Sequence, residues 1–169
     1  WRVKWPDESV HWIFGRWKVF RDDAGQPLRM TGINIDITDR MVAQQALEES
    51  EARFRNMADT APVKIWMADP SRMSTYFNKR WLDFTGRTLE EEQGYGWTKG
   101  IHPDDQGHCL EVFNQSFDAR RSFEIEYRLR RFDGEYRWVI DSGTPRFSAT
   151  GKFLGSLKGV PFGWTFGLW

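Results

Sequence analysis

Two histidines and one cysteine are the residues best suited to metal chemistry in this chain. His102 and His108 lie six residues apart, and Cys109, the single cysteine, follows directly. Zinc prefers imidazole and thiolate ligands, but a structural site needs four of them, and no spaced Cys/His pairs complete this set. The sequence therefore predicts no metal site. We expect His108 to be an exposed helix residue, and His102 and Asp104 to cap the helix that follows.

Carboxylates are numerous but form no recognisable catalytic pair. The run Glu90, Glu91 and Glu92 is typical of a solvated helix face. Glu124 and Glu126 alternate with apolar residues and predict a charge ladder on the outer face of a sheet. The sequence contains no glycine-rich phosphate loop, no kinase-like or GGDEF-like block and no readable nucleophile–base arrangement. We therefore expect no enzymatic activity in this part of the chain.

Composition sets broad limits on partners and location. The 169 residues carry 24 basic and 24 acidic side chains, a balance that favours neither nucleic acid nor an anionic membrane as partner. No apolar run is long enough to span a bilayer, and a single cysteine is compatible with the cytoplasm. The first residue is Trp1 rather than methionine, so we expect a fragment of a longer protein.

A strand–turn–strand–glycine pattern occurs twice. Residues 2–13 read RVKWPDESVHWI and residues 128–139 read RLRRFDGEYRWV, at a constant offset of 126. Self-similarity at one spacing predicts two tandem modules, of which the first is represented by its last strands.

The turn residues predict the register of both hairpins. With Asp7 and Glu8 at the centre of the first turn, Trp1 faces Phe14 and Val3 faces Trp12. Trp1, Trp12 and Phe14 would then share one aromatic face. We expect that face to pack on another chain, on the second module or on a swapped segment.

In the second hairpin, Asp133 and Gly134 predict a two-residue turn. Leu129 then faces Trp138, and Glu126 faces Asp141.

A helix is predicted between the two modules. Thr38 is the expected N-cap, Asp39 lies in the first turn, and neither glycine nor proline follows until Pro62. Seven-residue spacing links Leu47 and Phe54. Two interpretations remain open, a signalling coiled coil and an amphipathic helix docked on the adjacent domain.

The predicted order of strands and helices in the second module is β-β-α-α-α-β-β-β. Its first strand runs from Val63 to Ala68, and glycine at position 86 ends a short helix. A capping-box pattern over 88–91 starts the next helix, a longer helix ends near Arg120, and the last strand begins near Phe153.

The motifs IWMAD, TYFNKRWLDFTG, GIHPDD, FEIEYRLRRFDGEYRWV and GTPRF occur in this order over roughly residues 50–159. Together they resemble the PAS domain, in particular the bacterial subgroup with HPDD and DGxxRW motifs. The resemblance implies an α+β fold, a five-stranded antiparallel sheet with helices on one face that enclose a small ligand cavity.

The segment DITDR resembles the signature that joins a PAS domain to the next signalling element. By this resemblance Asp36, Thr38 and Asp39 relay the signal. We expect the C-terminal strands of a preceding, incomplete PAS domain over 1–37, a linker helix over 38–60, a PAS domain over 61–159 and an atypical tail over 160–169. In that tail Pro161 stands inside what should be a central strand.

The cofactor stays unknown, because the known types are disfavoured. The NCRFLQ helix of photoactive flavin-binding relatives is absent and Cys109 lies on another helix, which disfavours a flavin adduct. Aligning the loop proline of haem-binding relatives with Pro103 puts Leu110 at the ligand position, which disfavours haem. Candidate ligand-pocket residues are Trp66, Phe77, Trp81, Phe84, Phe113, Phe117 and Tyr127. The alternative is that these side chains simply fill the core.

The resemblance implies a cytoplasmic sensory module that relays a signal, from a small ligand or a partner, to an output domain. In the family that output is a histidine kinase of a two-component system, or a diguanylate cyclase or phosphodiesterase of cyclic di-GMP signalling. The alternative is a ligand-free dimerisation or spacer module. A homodimer is expected through the linker helix or the exposed N-terminal sheet.

Overall fold

Three antiparallel strands form the first sheet, in the order β1-β2-β3. They span Arg2–Lys4, Val10–Arg21 and Pro27–Asp36. The computed structural model describes the backbone of residues 1–161 and the side chains of residues 1–157. The chain divides into two compact units, Trp1–Phe54 and Arg55–Trp169, and the first sheet belongs to the first unit.

The register of the first hairpin differs by one residue from the prediction. Trp5 N–H donates to the Ser9 carbonyl at 2.9 Å, so the loop holds three residues, and the last of them, Glu8, has a left-handed φ of 69°. Arg2 therefore lies opposite Trp12, and Trp1 N–H donates to the Ile13 carbonyl at 3.2 Å.

Side chains alternate between the faces of a strand, so this slip moves Trp1 to the face opposite the one that carries Trp12 and Phe14. The prediction of one shared aromatic face is wrong. All three side chains are nevertheless exposed by 36 to 51%.

The second hairpin shows the same loop. Arg131 N–H donates to the Glu135 carbonyl at 2.8 Å, and Gly134 has a φ of 90°. The glycine therefore occupies the left-handed position of a three-residue loop, a common hairpin geometry, and not the second position of a two-residue turn.

The predicted pairs of Leu129 with Trp138 and of Glu126 with Asp141 are consequently wrong. Trp138 lies opposite Arg128, and Asp141 lies opposite Ile125.

One long helix, α1, spans Thr38–Thr60, and the division between the two units falls within it. Every side chain over 42–57 is exposed. Most helical stability in proteins comes from tertiary packing of an apolar face, so we expect this segment to gain stability by packing against another surface.

The second unit contains a five-stranded antiparallel sheet in the order β5-β4-β8-β7-β6. Its strands are β4 Val63–Ala68, β5 Ser74–Phe77, β6 Phe123–Arg130, β7 Tyr136–Phe147 and β8 Phe153–Pro161. Between β5 and β6 lie α2 Lys79–Thr85, α3 Leu89–Glu92, a 3-10 helix Gly96–Gly100 and α4 Pro103–Asp118. The predicted α+β fold with a five-stranded antiparallel sheet is confirmed.

Local capping explains why these short helices form. Asn78 accepts from the Trp81 N–H and starts α2, and Gly86, with a φ of 69°, ends it. Thr88 and Glu91 form the reciprocal capping box at α3. The side chain of Asn78 also donates to the carbonyls of Ala58 and Val63, and thereby joins α2 to β4 and to the end of α1.

One hydrophobic core fills the space between the five-stranded sheet and its helices. Its buried members are Trp66, Ala68, Phe77, Trp81, Trp97, Ile101, Cys109, Phe113, Phe117, Ile125, Tyr127, Leu129 and Val139. Strand β8 extends to Pro161, which pairs with Val63. The rest of the predicted atypical tail, 162–169, lies outside the described residues.

Candidate functional site

The three predicted relay residues lie where β3 turns into α1. Asp36 Oδ1 accepts from the Thr38 backbone N–H at 2.9 Å and from the Thr38 hydroxyl at 2.6 Å. Thr38 Oγ1 in turn accepts from the Trp12 N–H at 2.8 Å. The predicted N-cap role of Thr38 is therefore wrong, because its hydroxyl joins strand β2 to the start of the helix. Asp39 is exposed in the first turn.

A histidine that sequence analysis missed completes this junction. His11 Nδ1 lies 2.6 Å from Asp36 Oδ2, and its Nε2 lies 2.9 Å from the Ser9 hydroxyl. Ser9 Oγ donates to Asp7 Oδ1 at 2.5 Å. Hydrogen bonds from Thr38, with a smaller contribution from His11, lower the pKa of Asp36. A continuous hydrogen-bonded chain thus runs from the β1–β2 turn to the start of α1.

The order serine, imidazole, carboxylate is also that of a hydrolytic triad. Here Ser9 cannot serve as the nucleophile of one, because its hydroxyl donates to Asp7 and its backbone N–H is bound by the same carboxylate at 3.0 Å. Trp5 also stacks on the His11 ring at a centroid distance of 3.7 Å. The arrangement is suited to holding two elements together and not to catalysis.

The predicted pocket residues converge in the core of the second unit. Trp66, Phe77, Trp81, Phe113, Phe117 and Tyr127 are buried and Phe84 is partly buried. Their rings contact one another: Phe77 and Trp81 have centroids 5.1 Å apart, and Phe113 lies 5.6 Å from Phe117. These contacts fit the interpretation that the side chains fill the core, and their role in binding a ligand stays a prediction.

The Tyr127 hydroxyl and the Asp141 carboxylate form a buried polar pair at this core. The Tyr127 hydroxyl donates to Asp141 Oδ2 at 2.9 Å, and burial strongly raises the pKa of Tyr127. The register predicted for a two-residue turn puts Asp141 opposite Glu126 and on the outer face, so the sequence does not reveal this contact.

Glu92 is a third residue whose surroundings the sequence did not reveal. Its side chain is 1% exposed, although the run 90–92 predicts a solvated face. Successive helix residues are about 100° apart, so three in a row cannot all face solvent on a helix packed against a core. Glu92 Oε1 lies 3.4 Å from Arg87 Nε. Burial raises the pKa of Glu92, and this effect outweighs the lowering by Arg87.

The two motifs HPDD and DGxxRW meet at Arg128. Asp105 accepts from the Arg128 backbone N–H at 2.9 Å and from its guanidinium at 2.7 and 2.8 Å. These hydrogen bonds lower the pKa of Asp105 to about 2. The guanidinium also lies 5.4 Å from the ring centre of Trp138, in cation–π geometry. The motifs therefore fix the start of α4 to β6.

The histidines of this region take the places expected for them. His102 is the N-cap of α4, and its Nδ1 accepts from the Asp104 N–H at 3.3 Å. His108 is exposed, and Cys109 beside it is buried. Within the described residues no helix combines the length and apolar character that crossing a membrane requires.

Comparison with known proteins places these observations in a family. The family model described as "PAS fold" matches residues 74–158. An uncharacterized protein y4lL of Sinorhizobium fredii is 45% identical over 154 residues, which are 91% of this chain and 19% of that protein. The peroxide stress-activated histidine kinase mak1 of Schizosaccharomyces pombe is 28% identical over 82% of this chain and 9% of its own length. The chain thus spans less than a fifth of these relatives.

Solved structures agree in fold. The PAS domain of a protein from Colwellia psychrerythraea superposes with a TM-score of 0.54 at 18% identity, over 68% of this chain and 94% of that one. A LOV protein of Rhodobacter sphaeroides gives a TM-score of 0.57 at 15% identity, over 70% of this chain and 71% of that one. At these identities the likeness concerns the fold. With the family match over half its length, the chain belongs to the PAS family, whose domains are sensory and non-catalytic modules.

Proposed function

We propose that this chain is a cytoplasmic relay segment of a longer signalling protein, in which PAS modules pass a signal to an output domain such as a histidine kinase or a diguanylate cyclase. The observation that carries the proposal is the junction of Asp36 and Thr38 with β2. Because Thr38 bonds both Asp36 and the Trp12 N–H, a movement of β2 changes the contacts that begin α1. A helix that starts on a sheet in this way can transmit displacement along the chain.

The same proposal assigns residues 1–37 to the closing strands of a preceding PAS domain. Both hairpins have the same loop and the same register at the offset of 126. In each, an arginine opposite the tryptophan lies 5.4 Å from its ring centre, Arg2 at Trp12 and Arg128 at Trp138. The histidine kinases and two-component sensor among the relatives support a signalling output.

The variant Thr38→Val tests the relay. It removes the acceptor of the Trp12 N–H and the donor to Asp36 but keeps the size of the side chain. We expect faster hydrogen exchange, measured by mass spectrometry, at Trp12 and over 38–41, with exchange over 123–139 unchanged. Thr31→Val, on exposed strand β3, is the matched control. Unchanged exchange at the start of α1 would show that the junction does not couple sheet and helix.

A second candidate function is a ligand-free dimerisation or spacer module. It is favoured by the direct packing of the candidate pocket aromatics on one another and by the exposure of α1 over 42–57. In this proposal the homodimer forms through the linker helix or the N-terminal sheet. Native mass spectrometry of the purified chain separates the two. A small molecule retained at one per chain supports sensing by ligand, and a dimer without added mass supports the spacer.

A further inference from the structure

His11 makes a hydrogen bond at each of its two ring nitrogens. Nδ1 lies 2.6 Å from Asp36 Oδ2 on β3, and Nε2 lies 2.9 Å from the Ser9 hydroxyl oxygen. The indole of Trp5 stacks on the ring at a centroid distance of 3.7 Å, with the two planes 10° apart. The imidazole is therefore held in one orientation, and the neighbour of each nitrogen determines whether that nitrogen carries a proton.

Both neighbours of the ring are hydrogen-bond acceptors. An ionised carboxylate has no proton to give, so Nδ1 donates to Asp36. The Ser9 hydroxyl has a single proton, and it donates that proton to Asp7 Oδ1 at 2.5 Å. Nε2 therefore donates to Ser9 Oγ. An imidazole that donates at both nitrogens carries two protons and a positive charge.

Two carboxylates near the ring stabilise this charged form. Asp36 faces the ring from β3, and Asp7 lies beyond Ser9 in the β1–β2 loop. Hydrogen bonds from Ser9 lower the pKa of Asp7, and hydrogen bonds from Thr38 lower the pKa of Asp36. Both groups therefore stay ionised at neutral pH and attract a proton to His11.

The other charged groups of the junction do not pair with this site. Cross-strand partners share a face, and β1 puts Val3 opposite His11. The two neighbours of Val3 in that strand, both basic, therefore lie on the other face of the sheet. The charged residues of β1, of the loop and of the first turn of α1 that form no ion pair with His11 or Asp36 among the described side chains are Arg2, Lys4, Glu8, Asp39 and Arg40.

The second module lacks this arrangement. At the offset of 126, His11 corresponds to Arg137 and Asp36 to Phe162. Arginine keeps its charge at every accessible pH, and phenylalanine has none. The shared hairpin therefore does not require a titrating pair at this position.

We propose that His11 makes the relay junction sensitive to pH. With both ring nitrogens protonated, His11 holds Asp36, and through Asp36 the start of α1, on strand β2. Histidine is the side chain that ordinarily changes charge between pH 5 and 8. When Nε2 releases its proton to solvent, the Ser9 hydroxyl turns from Asp7 to Nε2, Nδ1 still donates to Asp36, and the ion pair becomes an uncharged donor's hydrogen bond. This inference rests on the relay of the proposed function and adds the proton as a signal that regulates it.

Hydrogen exchange of the full chain at about pH 5 and about pH 8 tests the proposal. Each measured rate is divided by the rate of the unfolded peptide at the same pH, which gives a protection factor. We expect protection over 38–41 to fall by about threefold at the higher pH, the effect of a partly exposed ion pair. His11→Gln, whose amide does not titrate, should abolish this fall. His108→Gln, which removes an exposed histidine of the second unit, is the matched control and should retain it.

Nitrogen-15 NMR of the His11 ring identifies the proton that leaves. Retention of the proton at Nδ1 while Nε2 loses its own supports the proposal, and loss from Nδ1 first would overturn it. This measurement and the wild-type exchange need no variant, so they decide the question even if far-UV circular dichroism shows that His11→Gln does not fold.

The relay and its pH dependence fail in different experiments. Equal protection over 38–41 at both pH values, in a chain whose His11 ring loses a proton between them, overturns the pH dependence and leaves the relay intact. A fall in protection that persists in His11→Gln also overturns it, because another group then titrates. If Thr38→Val leaves exchange at the start of α1 unchanged, the relay fails, and this inference fails with it.

Discussion

The two sheets of this chain share one hairpin geometry but differ in how far their side chains are buried. Val3 and Leu129 occupy equivalent positions at the offset of 126, yet Val3 is 37% exposed and Leu129 1%. Residues 79–118, the helical segment between β5 and β6, supply the cover in the second module, where Ile101 bridges Leu129 and the core closes around it. The alternating pattern therefore specifies the hairpin, whereas burial depends on what the chain packs against it.

The largest expected effect separates these two positions. Leu129→Ala removes a fully buried side chain and should lower the free energy of unfolding by about 2–5 kcal/mol, whereas Val3→Ala should cost less than about 1 kcal/mol. Urea denaturation followed by far-UV circular dichroism measures both. If Val3→Ala proves as costly as Leu129→Ala, the first sheet is covered in solution and the two positions do not differ in burial.

The equivalent arginines give a second test. Arg128 holds Asp105 and stacks on Trp138, whereas Arg2 shares the cation–π contact with Trp12 but makes no ion pair among the described residues. Arg128→Ala should lower the melting temperature by several degrees and Arg2→Ala by roughly one degree or less. Differential scanning calorimetry on the two variants resolves this. Equal shifts would mean that the acidic partner adds nothing to the shared contact.

The buried Glu92 adds a pH dependence opposite in sign to that of Asp36 in the first unit, whose pKa is lowered. Burial raises its folded-state pKa, so the folded state holds this proton more tightly than the unfolded chain. Its contribution to stability is full below the unfolded pKa and is lost as the pH rises through the folded pKa. Glu92→Gln should therefore match wild type in acid and become more stable relative to it as the pH increases. Denaturation from pH 4 upward, with exposed Glu124→Gln as control, measures the difference; a constant offset would contradict it.

The fold was largely predictable because its signals are local. Thr88 and Glu91 make a capping box within four residues, Gly86 marks the end of α2, and motif order identifies the family. The candidate site was predictable in part. Asp36 and Thr38 are two residues apart in sequence, but His11 reaches Asp36 across 25 residues, which no spacing indicates.

Two errors share another cause, namely that sequence does not show which way a residue faces. The run 90–92 predicts that Glu92 is exposed like its neighbours, and a two-residue hairpin loop predicts that Asp141 lies opposite Glu126. A single left-handed residue, Glu8 or Gly134, sets that register. The Asp-Gly pair indicates a left-handed backbone at this position in the second hairpin. No residue pattern indicates it in the first.

The left-handed loop position provides the test with the smallest expected effect. Glu8 and Gly134 are equivalent at the offset of 126 and both are left-handed, with φ of 69° and 90°. An L-residue with a side chain pays about 1–2 kcal/mol there, so Gly134→Glu should destabilise the second unit by roughly 1 kcal/mol. Glu8→Gly should stabilise the first hairpin by less, because glycine loses more entropy on folding and the exposed contact of Glu8 with Lys4 is lost. Hydrogen exchange at the two hairpins measures the change in stability of each hairpin separately. Opposite signs would support one shared loop geometry; destabilisation by both substitutions would show that Glu8 is held by contacts that the second hairpin does not need.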